Sequence, residues 1–335
     1  MSKHRKPQSP PRFLPARFRP APVGAPGLLE LDRFSEADIN HWNELSKDLD
    51  ELSAVLYSGI EPQRQRYHEE LIEALGSVPA APLDFTGWVR IVQWRYTNTP
   101  LAAHGSLTKW GGRFNIGVDV DNAISAPWPA LYIASDLETA YREKFGIAKV
   151  DRVDGLSAEE LALQPGDSYS AIRVNGHLDT VFDFMREGAL DPLCNVLKKF
   201  KMPAEAERLR KRLKISRQQV FMIRTPERLM REVMQVNWRA PPSQFGNPAP
   251  SQILGGLILD AGYEAIHYRS TKGNGECVAV FPHRLVSDAS FVALADPSPP
   301  EALHRRLDMT TADALCGWEI LPPSLRPRRN PLLPL

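Results

Sequence analysis

The chain has 335 residues, 43% hydrophobic, 24% charged and 8% aromatic, with a formal net charge of +1 at pH 7. That composition can bury a core and excludes a wholly disordered chain, and the near-zero charge excludes a polycation with generic nucleic-acid affinity. Half of the thirty prolines gather at the two ends, seven in the first 26 residues and eight from Pro297 onward.

Residues 1–32 read as a basic, proline-rich tail, since the first 30 hold six Lys/Arg against one acid, Glu30. Proline keeps such a stretch extended and solvated. A helical hairpin is predicted over 33–80. Ser35 caps its first helix, with Glu36 and Asp38 in the first turn. Ile39, Trp42, Leu45, Leu49, Leu52 and Leu56 then recur at steps of three and four. Gly59 and Pro62 interrupt this pattern, and a second helix is expected from Gln63 to Leu75, before Gly76.

From Trp88 the pattern changes. Val89 to Tyr96, Ala130 to Ala134, Ser170 to Val174 and Cys277 to Phe281 read as strands. Asp136 to Phe145 reads as a helix capped by Ser135 or Asp136, and Ser251 to Ala261 as an apolar helix ended by Gly262. Between Lys198 and Arg217 lie nine Lys/Arg and two acids, on what the pattern predicts to be a helix pair with a solvated basic face. Strands and helices without regular βαβ alternation predict an α+β domain with a mixed sheet.

Cys194, Cys277 and Cys316 are far apart and odd in number, and no CxxC, Cys/His cluster or HExxH occurs. Neither a disulfide framework nor a zinc site is supported. No apolar run of about 18 residues occurs, so the expectation is a soluble, cytoplasmic protein with no membrane and no direct nucleic-acid binding. Gly273-Asn274-Gly275-Glu276 precedes a strand and reads as a hairpin turn, not a dinucleotide fingerprint. No Gly-Lys-Ser/Thr loop and no Gly-x-Ser-x-Gly elbow are present.

What remains is a set of polar residues at strand ends and turns. Each has an ordinary explanation: Arg95 as an ion-pair partner, Tyr132 as a core aromatic, Glu143 as a helix-surface acid, Ser270 as a turn former. Their order says more. Trp94-Arg95-Tyr96, Gly-Gly-Arg-Phe-Asn at 111–115, Leu-Tyr-Ile-Ala-Ser at 131–135, Glu-Thr-Ala-Tyr-Arg-Glu at 138–143, and Tyr-Arg-Ser at 268–270 before a Cys-Val-Ala-Val-Phe strand resemble the RES domain family, over roughly 86–285. The family is named for an arginine, a glutamate and a serine, and includes toxins paired with Xre-type antitoxins.

The resemblance implies a fold like the ADP-ribosyltransferase toxins and NAD as substrate, degraded with phosphate or water as acceptor or used to ADP-ribosylate a protein. Carried over by position, Arg95, Glu143 and Ser270 would be catalytic. Tyr96, Arg113, Tyr132 and His283 would contact the dinucleotide. No metal is implied, and the expected partners are NAD and a cognate antitoxin, Xre-type or other. A helical hairpin, a basic insertion near 185–235 and a proline-rich tail at 286–335 stand as additions to the family pattern. A non-catalytic RES-like scaffold is the alternative from another class.

These residue types suit the chemistry. Cleaving the nicotinamide–ribose bond develops positive charge on the sugar, which a carboxylate stabilises. The diphosphate needs donors in fork geometry, supplied by Arg95 or Arg113. Tyr96 or Tyr132 offers a flat face to nicotinamide, and Ser270 can hydrogen-bond its amide or a phosphate oxygen.

Overall fold

The structure, a computed structural model, describes residues 36–93, 96–121, 126–146, 169–217, 220–297 and 304–317. The tail at 1–32 lies outside the described residues, as do Trp94 and Arg95. The chain divides into two units, Met1–Glu51 and Leu52–Leu335. Of the first, the described part is helical, the opening turns of α1 (Glu36–Arg66).

The second unit holds an α+β domain built on a mixed sheet. Its strands are β1 (Ala81–Gln93), β4 (Leu131–Ala134), β5 (Tyr169–Asp183), β6 (Ala265–Arg269), β7 (Glu276–Val280), β8 (Phe291–Leu294) and β9 (Arg306–Leu307), in the order β1-β4-β7-β6-β5-β8-β9. Because β1 also pairs antiparallel with β5, strands β1, β4, β7, β6 and β5 close into a ring. Only the β5–β6 pairing is parallel among those described. A small hairpin, β2 (Gly111–Gly112) and β3 (Asn115–Ile116), stands apart.

Strands buried on both faces read as continuous apolar runs, and the two faces separate at period two. On β7 and the residue after it, Cys277, Ala279 and Phe281 enter one core cluster, while Val278 and Val280 enter the other. The first cluster packs helix α2 (His68–Gly76) and α8 (Pro250–Asp260) against the sheet through Leu71, Leu75, Ile258 and Phe182. The second gathers Leu131, Val174, Leu178 and Val292 with Leu101 and Leu315.

The ring is most sparsely paired at one seam. β1 and β4 share a single registered pair, Val89 with Ala134. Across that seam the half-buried Arg90 guanidinium donates to the carbonyls of Pro100 (2.9 Å), Ala102 (2.9 Å) and Tyr132 (3.2 Å). A side chain thus supplies bonds where the ladder is missing, and burial lowers the Arg90 pKa to about 10.

Several boundaries differ from the sequence pattern. Helix α1 runs through Gly59 and Pro62, and the break falls at Tyr67. The face bearing Gly59 and Gln63 docks on residues 201–203: the Gln63 amide donates to the Lys201 carbonyl and accepts from its N–H, both at 2.8 Å. Tertiary contact here outweighs the local cost of proline. Between Lys198 and Arg217 there is one helix, α5 (Ala204–Arg212), not a pair; α4 (Asp191–Leu197) and α6 (Pro226–Val233) flank it. The proline-rich C-terminal stretch is also not wholly a tail. β8 pairs with β5 and β9 with β8, followed by α9 (Ala312–Cys316), with Val292, Leu307 and Leu315 buried. Proline density at 297–300 masked these short apolar segments in the sequence.

Candidate active site

Helix α3 (Leu137–Phe145) and the turn 270–275 are built against each other. Asp136 caps α3 by accepting from Thr139 N–H (2.8 Å). Burial opposes its charge, but hydrogen bonds from Thr139 and Ser135 win, and its carboxyl lies below the usual range. The two hydroxyls that bond Asp136 also receive the turn: Gly275 N–H donates to Thr139 Oγ1 and Glu276 N–H to Ser135 Oγ, both at 3.0 Å. The turn joins β6 to β7, the hairpin that Gly273 to Glu276 announced.

This arrangement brings Glu143 and Ser270 together. Ser270 Oγ donates to Glu143 Oε1 at 2.6 Å and accepts from the Lys272 and Gly273 amides at 3.0 and 2.8 Å. Thr271 N–H donates to the same carboxylate oxygen at 3.2 Å. Oε1 is fully engaged, and Oε2 accepts no bond from the described residues.

Arg113 joins the cluster through Thr271, whose Oγ1 accepts from Arg113 Nη2 at 2.7 Å. Nη1 donates to the carbonyls of Val233 (3.3 Å) and Gln235 (3.0 Å), at the C-terminus of α6. Arg113 is 3% exposed. It sits in the β2–β3 hairpin, which is held from several sides. Gly111 has φ +84°, open to glycine at little cost. A Cβ on Gly112 would fall 2.4 Å from Tyr132 Oη. Tyr132 Oη accepts from Phe114 N–H (2.9 Å) and donates to Asn115 Oδ1 (2.8 Å), and Gln252 on α8 donates to the carbonyls of Trp110, Gly112 and Asn115.

A cavity of about 530 Å³ opens at the β1–β4 seam. Glu143, Arg113, Tyr132 and Tyr96 all line it, four of the residues singled out in the sequence. Ser270 and His283 are not among its lining residues. His283 lies in the turn Pro282–Arg284, beside α9, and burial pushes its pKa down to about 3. Tyr96 packs edge-on against His104, ring centroids 4.8 Å apart. Burial pushes the Tyr132 hydroxyl and the Cys277 thiol up, so both stay protonated at neutral pH.

Glu143 is the one carboxylate among the described lining residues, against Arg90, Lys109, Arg113, Lys144 and Arg239. Such a cavity favours an anion that also carries a cationic centre to set beside the carboxylate. Sequence reasoning missed Trp238, Arg239 and Thr271. An aromatic next to an arginine, just past an amphipathic helix and before Pro241-Pro242, was the available signal for the first two. Among the described residues no group of three or more His, Cys, Asp or Glu side chains is placed to hold a metal, and no helix is long and apolar enough to cross a membrane.

The model of the RES domain matches residues 197–304. The match contains Ser270, His283, Trp238 and Arg239, and takes in most of the stretch near 185–235 that the sequence pattern set apart as an insertion; Glu143, Arg113 and Tyr132 precede it. No curated protein matches the chain. Among solved structures, the M. tuberculosis MbcT-MbcA toxin-antitoxin complex aligns at 12% identity and a TM-score of 0.39, covering 74% of this chain and 97% of that one, a likeness too distant to carry an argument. Residues 197–304 are thus similar to the RES domain, the family that the motifs between Trp94 and Phe281 resemble.

Proposed function

We propose that the protein is an NAD-consuming toxin of RES type, which breaks the nicotinamide–ribose bond of NAD with water or phosphate as acceptor. The observation that carries this reading is the Glu143 carboxylate, fixed through Oε1 by Ser270 and Thr271 at the wall of a cavity whose other charged lining residues, among those described, are Arg and Lys. The family match supports NAD use and a toxin role with an antitoxin partner, and with them a fold related to the ADP-ribosyltransferase toxins.

The geometry supports the following roles. As the C–N bond breaks, its electron pair passes to the ring nitrogen, which neutralises nicotinamide, and positive charge grows on the ribose. The unengaged Oε2 of Glu143 offsets that charge. Water then adds to the ribose carbon and releases one proton, giving ADP-ribose; phosphate would give the 1-phosphate. Ser270 orients the carboxylate and closes the turn, a positioning task distinct from touching the dinucleotide. Tyr132 and Tyr96 present aromatic surface to the nicotinamide ring. Arg95, carried by the resemblance alone, is assigned to the same site.

The test is NAD turnover by the full chain, with and without phosphate, products separated by mass. Nicotinamide with ADP-ribose or its 1-phosphate, absent from Glu143→Ala, is the expected result. Cleavage that survives in Glu143→Ala would remove this carboxylate from the mechanism. No small-molecule product, with label transferred from NAD to protein, would favour ADP-ribosylation instead.

A further inference from the structure

Two arginines at the cavity divide the work that the sequence left open between Arg95 and Arg113. Arg113 is committed within the protein: Nη1 serves two backbone carbonyls, Nη2 serves Thr271, and Nε is buried without a partner among the described residues. At 3% exposure it has no open fork left to offer a ligand. Its bonds hold the carbonyls of Val233 and Gln235, and so fix the segment that leads directly to Trp238 and Arg239.

Arg239 is the contrasting case. Its guanidinium carbon lies 4.5 Å from the centre of the Trp238 ring, which is itself 5% exposed and 5.9 Å from the Arg113 guanidinium. A cation–π contact of this kind restrains an arginine without using its N–H donors. Arg239 is solvent-exposed, lines the cavity with Glu143, and its guanidinium makes no hydrogen bond or ion pair within the described residues. Desolvation, then the nearby Arg113, lowers its pKa, and Glu143 partly offsets them.

We infer that Arg239, held over the Trp238 ring, is the residue that receives the diphosphate of the dinucleotide, and that Arg113 does not bind it. This rests on the reading of the cavity as an NAD site. A planar fork on a rigid aromatic suits bidentate contact with two phosphate oxygens. The one carboxylate among the described lining residues, Glu143, is left for the cationic end of the ligand, so its two ends are told apart by charge.

The experiment compares wild type, Arg239→Ala and Arg239→Lys in the full chain. Equilibrium binding is measured for ADP-ribose, which carries the diphosphate, and for nicotinamide riboside, which lacks it, alongside kcat and KM for NAD. Arg239→Ala is expected to weaken ADP-ribose about 10- to 100-fold, with nicotinamide riboside unchanged, KM for NAD raised and kcat little altered. Arg239→Lys, which keeps the charge but not the fork, should fall between. Wild-type turnover with ADP-ribose binding unaltered in Arg239→Ala would overturn the assignment while leaving the NAD reading intact. Equal loss for both ligands would overturn it too, by making Arg239 a general structural element. A wild-type chain that neither consumes NAD nor binds ADP-ribose would remove the NAD reading and the assignment together.

Discussion

Ser270 Oγ lies 2.6 Å from Glu143 Oε1 and gathers two further amides of its own turn, so one hydroxyl joins the β6–β7 hairpin to helix α3. Its removal should therefore act twice. Ser270→Ala leaves the Lys272 and Gly273 N–H groups without their acceptor, at a cost of about 1–3 kcal/mol in stability, and lets the carboxylate turn. NAD turnover should show kcat reduced by about tenfold or more with KM nearly kept, since Ser270 does not line the cavity. Ser270→Thr, which keeps the hydroxyl, should recover most of kcat. A rise in KM alone would place Ser270 on the ligand instead.

Glu143→Gln keeps the size of the side chain and its hydrogen bond from Ser270, but removes the charge. The loss expected is about 10² to 10³ in kcat, larger than for Ser270→Ala, measured in the same assay at saturating NAD.

Gly59→Ala carries an opposite sign from the usual rule. In an exposed helix interior this change stabilises by about 1 kcal/mol. Here the added Cβ would fall 2.6 Å from Pro203 Cγ, and a proline ring cannot swing aside as a flexible side chain can. Overpacking of this sort costs about 1–3 kcal/mol, so the melting temperature should drop. A rise would mean that the 201–203 segment yields without loss.

Two histidines should shape stability against pH in opposite ways. His177 is held between Asp84 (2.7 Å) and Asp179 (2.8 Å), and those hydrogen bonds raise its pKa. Its contribution is fully present below about 6.5 and is lost as pH climbs through the raised value. His283 is buried neutral, with its pKa pushed to about 3. The unfolded chain then binds the extra proton between about 6.5 and 3, so stability falls as pH falls through that window. Melting temperature followed from pH 4 to 9 should lose its alkaline decline in His177→Gln and part of its acid decline in His283→Asn. Unchanged slopes would show that neither group differs between folded and unfolded states.

Where the chemistry of a few neighbouring residues decides the structure, the sequence was readable. The Asp136 cap, the apolar runs Leu131 to Ala134 and Cys277 to Phe281, and the Gly273–Gly275 turn lie where their local patterns put them. Glu143 and Ser270, 127 positions apart, were matched by motif order and do meet. β5 was read only to Val174, because Asn175, Gly176 and His177 break its apolar run; its remaining length is set by pairing with β1 and β8. The path of α1 past Pro62 depends on contacts with residues 201–203, distant in sequence. Arg113 and Arg239 look equivalent as letters. Only the folded chain shows one closed in by carbonyls and the other stacked and open.

The sparse pairing of β1 with β4 has a thermodynamic corollary. Room for a ligand is made where the ring forgoes ladder bonds, so a molecule that spans β1, β4 and Glu143 bridges the least tied wall of the domain. Occupancy and folding are then linked: ligand present at about 100 times its dissociation constant adds about 2.7 kcal/mol to the folded state. Amide protons along that seam should slow in their exchange with solvent when the cavity is filled, while those of the β6–β7 hairpin barely change.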